Sequence, residues 1–242
     1  MKSKVSHWSI PREWVNDTAV IFGGGPSLRP EDVEVAIRRG WRRIAVNNAY
    51  ILDPAADVLV WGDKRWYEWN RFDLHRHTGP YKITWQEVQP VRGCKYHLLR
   101  HAGMPPTVRH LLNDLRLFSE AAQLRRTMDA LLRHGRSLLA DDPGTIAATN
   151  TGQGAINVAY HFGAKRIILT GFDMQTLRVG KKVVHNWHNL HRRDINPDRY
   201  QAVFAPAIQA VATLLREKGI EIVNCTPNSK LPGVPILRLE DV

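Results

Sequence analysis

Acidic residues are in short supply: 23 Asp and Glu stand against 34 Lys and Arg in 242 residues, a net charge of +11 with the histidines neutral. With an isoelectric point near 10.0, the field attracts polyanions, whether nucleic acid, phosphorylated small molecules or anionic surfaces. The same balance also suits a protein that is simply basic. Cysteine is nearly absent. Cys94 and Cys225 have no CxxC spacing, which argues against a disulfide framework and for a reduced, cytoplasmic setting. No apolar run approaches the roughly 20 residues of a membrane span, so none is expected. The opening MKSKVSHWSIPREW has cations but no apolar stretch behind them, so no secretory signal is expected either. No Ser/Gly-rich linker divides the chain, and its length suits one good-sized core.

What is present is an alternation of short apolar runs and helical patterns. Ala19 to Phe22 reads as a buried parallel strand, Pro30 to Arg39 as a helix with Pro and acids in its first turn, Arg43 to Asn47 and Asp57 to Trp61 as further strands. From Val108 to Gly135 the periodicity is helical only, predicting a helical insertion at about 105–140. Its arginines, Arg109, Arg116, Arg125, Arg126, Arg133 and Arg136, read as a solvated face or as a nucleic-acid or acceptor-binding face. The alternation then resumes with a helix from Thr151 to a stop at Gly163, a strand from Arg166 to Thr170, a helix from Ala205 to Gly219 and a strand from Ile220 to Asn224. The pattern predicts one α/β domain over 1–242: a Rossmann-like, doubly wound, mostly parallel sheet with a helical insertion.

In such a sheet ligands bind beyond the carboxyl ends of the strands. The residues just past the apolar runs are Gly23, Gly24, Gly25, Pro26 and Ser27, then Asn47 and Asn48, Asp63, Gly171 and Asp173, and Thr226 to Ser229 including Asn228. Glycines there would let a ligand approach the backbone, whose N–H groups could bind phosphate or carboxylate oxygens. Neither GxGxxG nor GK[ST] occurs, so the dinucleotide fingerprint and the Walker loop are both excluded. Asn150, Thr151 and Gly152 mark a helix start whose free N–H groups would favour an anion, or a cap alone. His185, His188 and His191 lie within seven residues. Their HxxHxxH spacing is no specific zinc pattern, so no metal site is predicted, and a loop histidine near the cleft suits general-base work. Trp61, Trp66, Trp69 and Trp187 could stack on bases or sugars, or form core and cleft walls.

Taken in order, GGGPSL, Asn47, NTGQGAINVAYHFGAKRIILTGFDM, a histidine loop and NCTPNSKL resemble the bacterial sialyltransferases. They equally resemble the wider domain-of-unknown-function 115 group, which includes motility-associated flagellin glycosylation factors and archaeal hydroxymethylpterin diphosphokinases. The resemblance covers about 20–63 and 150–231 and implies a nucleotide-sugar site lined by Gly23, Gly25, Pro26, Ser27, Asn47, Thr151, Gly152, Gly171 and Asp173. It implies a loop histidine as general base, His188 first and His185 second. Two departures stand out. Gly24 occupies the place of the family's Asn, and the tyrosines that steady the leaving phosphate are replaced by a stretch with Arg178, Lys181 and Lys182, which could neutralise that phosphate instead.

The leading expectation is therefore an inverting glycosyltransferase. It would use a cytidine or uridine nucleotide sugar and a hydroxyl-bearing acceptor, a glycan or a modified nucleic acid, and would require no cofactor. The second reading is a Mg²⁺-dependent diphosphokinase with Asp63 and Asp173 as metal carboxylates. The third is a nucleic-acid-associated protein using the basic charge. A homo-oligomer is compatible with all three.

Overall fold

The computed structural model describes residues 6–102, 138–188, 190 and 197–242. Its centre is a seven-stranded sheet in the order β11-β8-β1-β2-β3-β4-β5, parallel throughout. The strands are β1 (Thr18–Phe22), β2 (Arg42–Val46), β3 (Val58–Trp61), β4 (Tyr81–Thr84), β5 (His97–Leu98), β8 (Arg166–Thr170) and β11 (Glu221–Asn224). Two small sheets stand apart: β6 (Arg100–His101) with β7 (Thr145–Ile146), and an antiparallel ribbon of β9 (Leu177–Val179) and β10 (Lys182–Val184).

Both faces of the sheet are buried, as parallel strands require. Successive side chains alternate between the faces. Ala19, Ile21, Ile44, Val58, Val60, Ile167 and Leu169 join a core with helices α3 (Thr151–Phe162) and α4 (Ala205–Glu217). Val20, Phe22, Ala45, Leu59, Trp61 and Ile168 join a second core with α1 (Pro30–Arg38) and α2 (Lys64–Asn70). The double winding follows from handedness. The chain moves from β1 outward through β2 and β3, then returns to place β8 on the other side of β1. Right-handed crossovers in opposite directions must put their helices on opposite faces.

The predicted elements lie within a residue or two of those observed. The helix from Thr151 is capped by the Asn150 side chain, which accepts the Gln153 N–H at 3.0 Å, and stops at Gly163 in the left-handed region at φ 98. Strands β4 and β5 and the β9–β10 ribbon are additions to the sequence reading. The expected insertion at about 105–140, with its six arginines, falls almost wholly outside the described residues, as do His191, Arg192 and Arg193. Both cysteines are free thiols, and burial pushes the Cys225 thiol up to about 12. Among the described residues no helix is long and apolar enough to cross a membrane.

One buried histidine ties this fold to pH. His77 is 1% exposed, and its Nε2 lies 2.9 Å from the Ala56 carbonyl. Burial, reinforced by Lys82, lowers its pKa to about 4. The unfolded chain therefore binds a proton that the folded chain refuses between about pH 6.5 and pH 4, so stability falls as pH drops through that window. Denaturant unfolding from pH 7 to pH 4 should lose about 3 kcal/mol through this group. His77→Gln, which keeps a donor for Ala56, should flatten the acid limb by a similar amount.

Candidate functional site

The order in which the chain adds strands reverses between β1 and β8, so the loops leaving these two parallel strands lie side by side at the switch point. They are bonded to each other. The Gly23 amide donates to the Thr170 carbonyl at 2.8 Å and the Gly25 amide to the Gly171 carbonyl at 2.9 Å. There is no room for side chains between them. A Cβ on Gly23 would sit 2.4 Å from the Gly171 oxygen, and one on Gly25 would sit 1.9 Å from an Asp173 carboxylate oxygen. Gly24 differs, because a Cβ there would meet only Asn186 Oδ1, at 3.5 Å. Two of the three glycine amides thus seal the loops together and are not free for an anion, and the middle position is the open one.

Asp173 anchors the junction. It is 6% exposed, and its Oδ2 accepts from the Ser27 hydroxyl at 2.9 Å and, at the longer distance of 3.5 Å, from the Ser27 amide. Burial raises its pKa above the usual carboxylate range, against the opposing pull of the Ser27 hydrogen bonds. The C-terminal segment holds the β8 loop from the far side. Thr226 Oγ1 accepts the Phe172 N–H at 2.8 Å, and the Ser229 hydroxyl donates to the Phe172 carbonyl at 2.6 Å while accepting the Leu231 N–H at 3.1 Å. Gln175 donates to the Asn228 carbonyl at 2.7 Å, and Asn228 itself lies in the left-handed region at φ 55. Ser27 and Ser229 therefore position the loops with their hydroxyls.

The start of α3 reaches the same junction: a Cβ on Gly152 would lie 2.8 Å from the Phe172 ring. Asn47, at the carboxyl end of β2, has φ 53 and a buried Oδ1 with no hydrogen-bond partner. The histidine loop closes on the middle glycine, where the Trp187 amide donates to the Gly24 carbonyl at 3.4 Å. Trp187 Nε1 and His185 Nδ1 are also buried without partners. Of the nine such side-chain atoms among the described residues, four lie at carboxyl ends of the central strands, on Asn47, Asn48, Trp61 and Asn224, and two more, on His185 and Trp187, lie in the loop that follows the ribbon. Buried polar groups are normally paired, so this end of the sheet is the unsatisfied one.

Some expected members lie elsewhere. Asp63 caps α2, accepting the Arg65 N–H at 2.8 Å, and three strand spacings separate the end of β3 from that of β8. The Asp173 carboxylate is held instead on the β1 loop by the Ser27 hydroxyl at 2.9 Å. Among the described residues no group of three or more His, Cys, Asp or Glu is placed to hold a metal. Arg178, Lys181 and Lys182 sit exposed on the β9–β10 ribbon. Trp61 and Trp66 are core residues, 0% and 2% exposed. A cavity of about 280 Å³ lies at the opposite end of the sheet, between Arg12, Asn16, Tyr160, Lys165 and Lys218, away from the strand carboxyl ends.

Three positioning residues escaped the sequence reading. Trp85, just past β4, packs so closely on α3 that a Cβ on Gly154 would lie 2.3 Å from its ring. Gln153 and Asn157, both 0% exposed, bind the segment before α3. Gln153 accepts the Thr149 N–H at 2.8 Å, and Asn157 accepts those of Ala140 and Ala147 at 3.2 and 3.0 Å. The signal for the two amides was polar side chains on the buried face of an apolar helix.

Comparison of this chain with protein-family models, with curated proteins and with solved structures gives no match.

Two measurements check this geometry. Gly25→Ala forces Asp173 or the β8 loop to move and should cost about 2 kcal/mol or more, whereas Gly24→Asn should cost less than about 1 kcal/mol; thermal unfolding compares them. Asp173→Asn keeps an acceptor for Ser27 but has no charge to bury. Because the pKa of Asp173 is raised in the fold, its ionisation costs stability as pH climbs above 3.8. The variant should therefore gain on the wild type through that titration and hold a constant advantage at higher pH, as read by urea unfolding.

Proposed function

We propose that this chain is a glycosyltransferase that binds a cytidine or uridine nucleotide sugar at the β1/β8 switch point. The carrying observation is the gathering of unpartnered buried polar atoms at the carboxyl ends of the strands. A crevice with fixed walls and unmet hydrogen-bonding capacity suits a polar ligand. The resemblance of the ordered motifs to the sialyltransferase superfamily supplies the choice of a nucleotide sugar.

In this reading Asn47 Oδ1 accepts from the base or sugar, and the amides of Thr151 and Gly152 at the α3 N-terminus meet the phosphate. Gly24 leaves space where a side chain would otherwise stand. The acceptor hydroxyl loses its proton to a histidine as its oxygen bonds to the anomeric carbon. The bond from that carbon to the phosphate oxygen breaks, and the nucleotide departs with the electron pair, inverting the centre.

The geometry favours His185 over His188 as the base. The Leu190 N–H donates to His188 Nδ1 at 3.2 Å, which puts the proton of a neutral ring on Nε2 and leaves no nitrogen to take another. His185 has a ring nitrogen with no partner. The diphosphokinase reading has no comparable support, because Asp63 caps a helix and Asp173 is bonded to Ser27.

A thermal-shift screen of cytidine and uridine nucleotides and their sugars tests the donor site. At a hundred times Kd the midpoint should rise by about 5–10 °C. With the nucleotide sugar that gives the shift, His185→Gln should lower turnover by about 10²-fold or more and keep the shift, while His188→Gln should stay within about tenfold. No shift with any nucleotide sinks the donor site; full turnover in His185→Gln sinks the base.

A further inference from the structure

The stretch between the two walls of the crevice is unlike the rest of the chain. From Met174 to Leu190 there is no Asp or Glu. Its middle is the β9–β10 ribbon, paired Lys182 to Val179, Val183 to Arg178 and Val184 to Leu177. Arg178, Lys181 and Lys182 are exposed, and none forms an ion pair among the described residues. Leu177, Val179 and Val183 are exposed too, at 47%, 60% and 41%. A cationic ribbon with uncovered aliphatic side chains is costly to leave in water, and the catalytic reading has not absorbed it.

The root of the ribbon is tied to neighbouring segments, and at its turn a Cβ on Gly180 would meet no atom within 4 Å among the described residues. At one end the Met174 carbonyl accepts from Gln201 at 2.7 Å and Gln175 is tied to Asn228. At the other, the chain runs into the loop that bonds to Gly24. From this base the strands advance three residues to the Gly180-Lys181 turn, about 10 Å. The lysines thus stand about one ribbon length from that tied base, with exposed side chains.

We infer that the β9–β10 ribbon docks the acceptor, and that the acceptor is double-stranded DNA; the acceptor role rests on the transferase reading above. Two strands about 4.8 Å apart fit a B-form major groove about 12 Å wide, where aliphatic side chains can meet thymine methyls. Three unpaired cations meet phosphates, and the +11 charge of the whole chain adds long-range attraction. The deep, narrow major groove of A-form RNA admits no such ribbon. A lipid surface fits less well, because the tip is Gly-Lys-Lys with no aromatic side chain to enter the interface.

Fluorescence anisotropy with a 20-base-pair DNA duplex between 50 and 200 mM salt tests this. The wild type should bind with affinity that falls steeply with salt. Arg178→Gln/Lys181→Gln/Lys182→Gln should bind at least tenfold more weakly at 50 mM, with the log–log salt slope shallower by about 3. It should unfold at the same temperature and keep its nucleotide-induced shift. Arg12→Gln/Lys165→Gln, at the opposite end of the sheet, should bind as the wild type does. The inference is overturned by no duplex binding, by wild-type binding in the ribbon variant, by equal loss in the control pair, or by tighter binding to RNA duplex or anionic vesicles at the same salt. Duplex binding that depends on the ribbon, in a protein that no nucleotide stabilises, would instead keep the docking element and remove the donor site.

Discussion

The loops leaving β1 and β8 are bonded backbone to backbone with no room for a side chain between them, and the rest of the candidate site depends on that contact. Two backbone hydrogen bonds, Gly23 to Thr170 and Gly25 to Gly171, draw the loops together until no Cβ fits at either glycine. This contact fixes the floor of the crevice, sets Ser27 against Asp173, and leaves Gly24 as the open position under the histidine loop. It needs the winding of the chain to reverse between two adjacent parallel strands, since only there do loops from oppositely wound halves meet.

Around that contact, polar side chains are spent on holding backbone. Thr226 and Ser229 fix Phe172 from one side, Gln153 and Asn157 fix the entry to α3 from the other, and Asn150 caps the helix itself. Each such side chain satisfies buried N–H or C=O groups that would otherwise carry a desolvation cost of about 1–3 kcal/mol. The result is a set of walls with fixed spacing, which a ligand need not order on arrival. The atoms left unpaired on Asn47, His185 and Trp187 stand out because so much around them is satisfied.

Much of the sheet was legible because parallel strands buried on both faces read as continuous apolar runs, as in Val20 to Phe22 and Ile167 to Leu169, and because helices such as α3 carry both a cap and a glycine stop. Strand β4 was not, since Tyr81-Lys82-Ile83-Thr84 mixes polar and apolar side chains near the sheet edge. Which residues lie just past the strand carboxyl ends was also legible, because the apolar runs mark where those strands stop. What each residue does there was less so. Sequence spacing brought Asp63 into the same group as Asp173, but the two lie three strands apart. The glycine amides looked free for an anion until the pairing of β1 with β8 used two of them. The hydrogen bond from the Leu190 N–H to His188 Nδ1 was likewise invisible in the sequence.

Because both ends of the Leu177–Val184 ribbon are tied down while its Gly180 turn meets no neighbour among the described residues, this segment can change length and sequence without disturbing the walls on either side. The arrangement is modular. About ten residues could be rewritten there while the spacing of the walls on either side is inherited intact.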